Sequence, residues 1–144
     1  MGLVSYQAGL TKFSDLTLQE FKVKYTGLQV SKTHGVNASS IPSSFNGSNP
    51  SSVDWREHLV EVKDQKHCGS CWSFSAACSL EFGYNIANKE KESKNVSLSE
   101  QQMVDCSGGY GNHGCNGGLM DKAFNYVIKY GEEKEKDYSY KAKD

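Results

Sequence analysis

Cys68-Gly69-Ser70-Cys71-Trp72 places a thiol where a loop passes into a helix, with Gln65 six residues upstream of Cys71. The first N–H groups of a helix lack intrahelical acceptors and carry the positive end of its dipole, so a negatively charged sulfur is favoured at Cys71. A thiolate is the attacking species in acyl transfer. The Gln65 side-chain amide and the Cys71 backbone N–H supply two donors for the oxyanion of a tetrahedral intermediate. The chemistry still needs a base. Of the four histidines, His34, His58, His67 and His113, His67 lies nearest to Cys71 in sequence but shares its turn, and it reads as a surface imidazole.

Two other chemistries compete for these cysteines. Cys68-x-x-Cys71 has the spacing of a redox dithiol, without the βαβ pattern that normally surrounds one. Cys68, Cys71, Cys106, His113 and Cys115 could hold zinc, but the second group lacks a Cys-x₂-Cys pair. No metal and no organic cofactor is expected.

The elements that must carry these residues read as helices. From Cys71 to about Asn88, Trp72, Phe74, Ser75, Cys78, Phe82 and Ile86 recur at helical spacing, which predicts a long central helix beginning at the thiol. Cys78 reads as a small buried apolar residue of that helix. Ser97 with Glu100 has the form of a capping box opening a short helix through Val104. Leu119 to Tyr130 predicts a third helix with Ala123, Phe124, Val127 and Ile128 on its inner face and Gly131 as its stop. The mixed-charge runs Lys89 to Glu92 and Glu132 to Asp137 read as solvated surface. Residues 31–50 are rich in Ser, Asn and Gly, with Pro42 and Pro50, and read as an extended linker.

Several motifs occur in order: Ser52-Val53-Asp54-Trp55-Arg56, Val62-Lys63-Asp64-Gln65, the Cys68 to Trp72 run, Leu98-Ser99-Glu100-Gln101-Gln102-Met103-Val104-Asp105-Cys106, and Gly114-Cys115-Asn116-Gly117-Gly118-Leu119-Met120-Asp121. On these the chain resembles the papain-like cysteine peptidases, whose known Cys-Gly-(Ser/Ala)-Cys-(Trp/Tyr) signature it matches. The last motif is most similar to the cathepsin L subgroup. Gly9 to Thr17, behind Tyr6, resembles the short pro-region motif of such precursors.

The resemblance implies an α+β, papain-like fold, represented mainly by its helical left domain with the long central helix starting at the nucleophile. Residues 1–30 are then the end of an inhibitory pro-region, 31–48 a linker with the processing site, and 49–144 the left-domain portion of the peptidase. Cys71 is implied as nucleophile and Gln65 as oxyanion donor. Gly117 and Gly118 are implied to pair with the substrate main chain. Leu119 and Met120 are implied to line the pocket for the second residue before the scissile bond, which favours an apolar or aromatic side chain there. A Cys68–Cys115 disulfide is also implied, leaving Cys71 free and Cys106 without its usual partner. The family's general base lies roughly 130–150 residues beyond the nucleophile, past Asp144, so this chain alone is expected to be inactive. Relatives usually carry Gly where Lys66 stands, and a φ above zero would strain the loop there. Ser73 replaces a common Ala.

The expected function is therefore that of a cysteine endopeptidase precursor fragment, with a catalytically inactive relative or a propeptide-type inhibitor of intact peptidases as the alternative. Expected partners are a peptide or protein substrate, the C-terminal half of the peptidase domain, and cystatin-like inhibitors. A net charge of −1 offers no pull toward nucleic acid, and neither a signal peptide nor a run of about 18 apolar residues is seen in the sequence. Five cysteines and three sequons, at Asn37, Asn46 and Asn95, suit an oxidising route, lysosomal or secreted.

Overall fold

The computed structural model describes residues 5–29, 47–89 and 95–144. Helix α1 (Leu18–Tyr25) begins in a capping box. The Thr17 hydroxyl accepts the Glu20 N–H at 3.2 Å, and the Glu20 carboxylate accepts the Thr17 N–H at 2.8 Å. Those two bonds hold the Glu20 carboxyl below its ordinary range. No residue of α1 is buried. Its fixed points are aromatic: Phe13 meets Phe21 and Tyr25 edge-on at 5.3 and 4.9 Å, and Tyr25 lies 5.1 Å from His67.

Helix α2 (Cys71–Ala87) starts at the thiol and ends on Asn88, as the spacing predicts. Its buried face differs from the expected one. Trp72, Ser73, Ala76, Ala77, Glu81 and Asn85 are buried, whereas Cys78 is exposed and Ile86 is 39% exposed. Trp72, Ala76 and Ala77 join the core shared with α3 and α4, while the Phe74, Cys78, Phe82, Ile86 stripe lies on the adjacent, more exposed face. Phe82 caps that stripe edge-on against Trp55 at 5.6 Å.

Helix α3 (Glu100–Cys106) is capped by Ser99, whose hydroxyl accepts the Gln102 N–H at 3.0 Å. Ser97 is therefore not the cap; its hydroxyl turns to Glu81 at 3.3 Å. Helix α4 (Met120–Tyr130) ends at Gly131, the expected stop, whose φ of 78° favours glycine. Its inner face is Ala123 and Tyr126, with Phe124 and Val127 packed beside them, and Ile128 is 83% exposed. Tyr126 wins the inner position because its hydroxyl accepts a hydrogen bond from the Gln102 side-chain amide at 3.0 Å. Trp72, Ala76, Ala77, Met103, Val104, Ala123 and Tyr126 form the core, where α2, α3 and α4 meet.

Polar groups tie the loops to this core. Lys63 bonds Glu81 at 2.7 Å, Glu100 at 2.5 Å and the Leu98 carbonyl at 3.1 Å. Burial pushes the Glu100 carboxyl up to about 7, against the pull of Lys63. The Asn85 side chain accepts the Val96 N–H at 2.8 Å and donates to the His58 carbonyl at 3.2 Å.

Beyond Gly131 the chain returns along residues 97–99. Leu98 pairs with Lys134 in an antiparallel bridge, the Ser99 N–H donates to the Glu133 carbonyl, and the Glu135 N–H donates to the Ser97 carbonyl. Within the run Glu132 to Asp137 this return corrects the surface reading at Glu132 and Glu135, while Glu133, Lys134, Lys136 and Asp137 are exposed as expected. Both Glu132 carboxylate oxygens are withdrawn from solvent without a hydrogen-bond partner, and burial raises that carboxyl to about 8. The return also delivers Tyr140 to the loop that carries Gln65. Among the described residues, β-pairing is confined to two isolated bridges, and no helix is long and apolar enough to cross a membrane.

Candidate active site

Cys71 is the first residue of α2, behind Ser70 as N-cap, and is partly exposed. The N-cap makes no side-chain bond to the helix. Its hydroxyl instead meets the Tyr140 hydroxyl at 2.6 Å, and Tyr140 passes the chain on by donating to the Gln65 carbonyl at 2.8 Å. One phenol thus links the backbone of Gln65 to the residue before Cys71. Its ring sits edge-on to Phe74 at 4.8 Å, and burial raises its ionisation, partly offset by Ser70. Tyr140 was not singled out as a site residue from the sequence. The Tyr138-Ser139-Tyr140 run was its only signal, and only the chain's return beside residues 97–99 reveals its target.

The disulfide Cys68–Cys115, with Cα atoms 4.7 Å apart, fastens the loop before Cys71 to the loop before Gly117. The Gly69 N–H reinforces this by donating to the Cys115 carbonyl at 2.9 Å. The bridge removes Cys68 from any dithiol with Cys71 and removes two ligands from the zinc set. Cys71, Cys78 and Cys106 are free thiols, and among the described residues no three His, Cys, Asp or Glu side chains converge as a metal site would.

The Gln65 amide donates to the Cys68 carbonyl at 2.8 Å and to the Tyr25 carbonyl at 3.2 Å. Tyr25 belongs to the segment before residue 30, so that segment engages the Gln65 amide directly. The segment then runs on over the glycines. The Gly118 N–H donates to the Gly27 carbonyl at 2.8 Å, the Gln29 N–H donates to the Gly118 carbonyl at 3.2 Å, and Leu28 and Gly118 form a parallel bridge. The Gln29 side chain adds a 2.8 Å bond to the Asn116 carbonyl. Such proximity requires glycine at position 27, where an added Cβ would stand 1.8 Å from the Gly69 carbonyl oxygen. Lys12 pairs with Asp64 at 2.8 Å across the same boundary, and that bond, with the Lys66 N–H, holds the Asp64 carboxyl below its ordinary range.

Leu119 is 8% exposed and its N–H donates to Asn112 Oδ1 at 2.9 Å, while Met120 is half-buried against the core. A groove of about 800 Å³ is lined by Val62, Lys63, Phe74, Glu100 and Tyr140 and does not include Cys71.

Among the described residues no histidine is hydrogen-bonded to Cys71. His67 is exposed and meets the Tyr25 hydroxyl at 2.8 Å through Nδ1; His58 is buried beside Trp55 and Phe82; His113 is exposed; His34 lies outside the described residues. Of the sequons, Asn37 and Asn46 also lie outside them. Asn95 is exposed, with its amide donating to the Glu57 and Leu59 carbonyls at 2.9 Å each.

Residues 49–144 match the model of the papain family cysteine proteases. A cathepsin L-like proteinase of Fasciola hepatica is 43% identical over 99% of the chain and 43% of its own length. Cathepsin L of Sarcophaga peregrina is 47% identical over 99% of the chain and 44% of its own length. Among solved structures, digestive procathepsin L 3 of the Tenebrio molitor larval midgut superposes with a TM-score of 0.77 at 38% identity, over 97% of this chain and 43% of that one. Procathepsin L2 from the same source gives 0.81 at 35% identity, over 98% of this chain and 46% of that one. The chain thus spans less than half the length of these relatives.

Proposed function

Because the chain belongs to the papain family of cysteine proteases, we propose that it is the nucleophile-bearing portion of a cathepsin L-like endopeptidase precursor, held shut by its own first 30 residues. In this reading Cys71 Sγ attacks the scissile carbonyl carbon. The Gln65 amide and the Cys71 N–H hold the resulting oxyanion. A histidine from a part of the protein beyond this chain takes the thiol proton and passes it to the leaving amine. The C–N bond breaks, a thioester remains on Cys71, and water hydrolyses it to free the acid and the thiol. The 144-residue chain alone is accordingly inactive.

The observation that carries this reading is the single frame joining Cys71, Gln65 and Gly118. The disulfide and Tyr140 tie the nucleophile turn to both flanking loops. Residues 25–29 then make, with Gln65 and Gly118, the hydrogen bonds that a bound peptide would otherwise make. Autoinhibition follows as occupancy of these groups, relieved by cutting within 31–48. Met120, with Leu119 behind it, favours an apolar or aromatic side chain at the second residue before the cut. A lysosomal or secreted location fits the disulfide.

The test is the full-length precursor, activated by removal of the segment before about Asn49. Gln65→Ala should lower kcat about 10²-fold while the loss of its bond to the Cys68 carbonyl costs only about 1 kcal/mol of stability. An unchanged kcat refutes the oxyanion assignment.

A further inference from the structure

Lys66 adopts a backbone conformation that residues with a side chain usually avoid. Its φ is 54°, in the left-handed region, which a residue with a Cβ occupies only when something holds it there. It follows Gln65 directly, so the direction of the Gln65 side chain depends on that turn being kept. The holding contact is local. Asp64 Oδ1 accepts the Lys66 N–H at 2.9 Å, closing a side-chain turn across Gln65. From the other side Tyr140 fixes the Gln65 carbonyl. Between these two points the Gln65 amide is aimed at the Cys68 carbonyl and toward the segment lying over the nucleophile loop.

We propose that Asp64 is a positioning residue for the oxyanion donor: its carboxylate keeps Lys66 left-handed and thereby holds the Gln65 amide in its working direction. This rests on the peptidase reading above. The two oxygens of Asp64 have separate duties. Oδ2 pairs with Lys12 of the inhibitory segment, while Oδ1 serves the turn, so the turn survives removal of that segment. The requirement for Asp64 arises because residue 66 is lysine. A glycine there would enter the left-handed region without help.

The experiment compares Asp64→Ala, Asp64→Asn, Lys66→Gly and the double variant Asp64→Ala/Lys66→Gly in the activated full-length protein. Asp64→Ala should lower kcat about tenfold with KM within about twofold. Asp64→Asn, whose Oδ1 still accepts, should stay within about twofold of wild type. Lys66→Gly in the Asp64→Ala background should restore kcat to within about twofold. A double variant as slow as Asp64→Ala, or an Asp64→Asn as slow, overturns the proposal. So does an Asp64→Ala that loses thermal stability while keeping kcat, since that describes a merely structural contact. Hydrogen exchange at the Lys66 amide of the 144-residue chain provides a readout that needs no turnover. Protection lost in Asp64→Ala and kept in Asp64→Asn supports the turn; exchange unaltered by Asp64→Ala overturns it. If the wild-type protein has no activity, the peptidase reading fails while the exchange result still decides the turn.

Discussion

Replacing Gly27 with Ala should open the Cys71 thiol to reagents. The added Cβ would stand 1.8 Å from the Gly69 carbonyl oxygen, and relief to ordinary van der Waals contact needs a retreat of roughly 1.5 Å or more. Gly69 cannot supply it, because its N–H is bonded to the Cys115 carbonyl at 2.9 Å beside the disulfide. The segment around Gly27 must therefore move. Its bonds at 2.8 Å (Gly118 N–H to Gly27), 3.2 Å (Gln29 N–H to Gly118) and 3.2 Å (Gln65 amide to Tyr25) cannot stretch that far and persist. At about 1 kcal/mol net each, the loss is on the order of 3 kcal/mol, or a rise of roughly 100-fold in the open population. The assay is the iodoacetamide alkylation rate at Cys71 in the 144-residue chain, read by peptide mass mapping, with Cys106 as internal reference because it is exposed in either state. Alkylation of Cys71 accelerated at least tenfold over Cys106 is expected. An unchanged ratio would show that residues 25–29 do not guard the site.

Three further outcomes follow from the packing. Tyr140→Phe keeps the ring on Phe74 but strands the Gln65 carbonyl and the Ser70 hydroxyl; it should lower stability by about 1–2 kcal/mol and reduce kcat of the activated protein, and a variant equal to wild type in both rejects that link. Lys63→Met removes the cation shared by Glu81 and Glu100 and leaves Glu81 only the Ser97 hydroxyl and the Leu98 N–H; it should cost about 3–5 kcal/mol, read as a drop in the denaturant midpoint. Glu132 binds its proton more tightly in the folded state, with its carboxyl raised from 4.5 to about 8 by burial and by the charges of Glu100 and Glu133. Its contribution to stability is thus full below about 4.5 and is lost as pH rises through about 8; the thermal midpoint should fall over that window, and Glu132→Gln should flatten the fall.

The helix start at Cys71, the extent of α2 and the Gly131 stop were readable because each rests on local signals: a loop-to-helix junction, a 3.6-residue period and a glycine free to take a positive φ. What the sequence hid was set by long-range packing. The stripe from Phe74 to Ile86 has the right period, yet the buried face of α2 is the adjacent one, where Trp72, Ala76 and Ala77 pack against α3 and α4. Cys78 is exposed for the same reason. Ser97 and Ser99 both precede Glu100, and the cap fell to Ser99 because Ser97 is drawn to Glu81, a partner on another helix. Glu132 and Glu135 sit in a charged run whose period gives no hint of burial; only the return of the chain along residues 97–99 withdraws them from solvent. The Thr17 and Glu20 pair that opens α1 is a local signal of the same kind as the Ser99 cap.

The central claim is that Cys71 attacks peptide bonds. The direct measurement is turnover of a fluorogenic peptide, with an apolar residue second before the cut, by the activated full-length protein and its Cys71→Ala variant. Substitution at Cys71 is expected to reduce kcat to background while the unfolding midpoint stays within about a degree, since the side chain is partly exposed. Turnover that survives in Cys71→Ala would contradict the account.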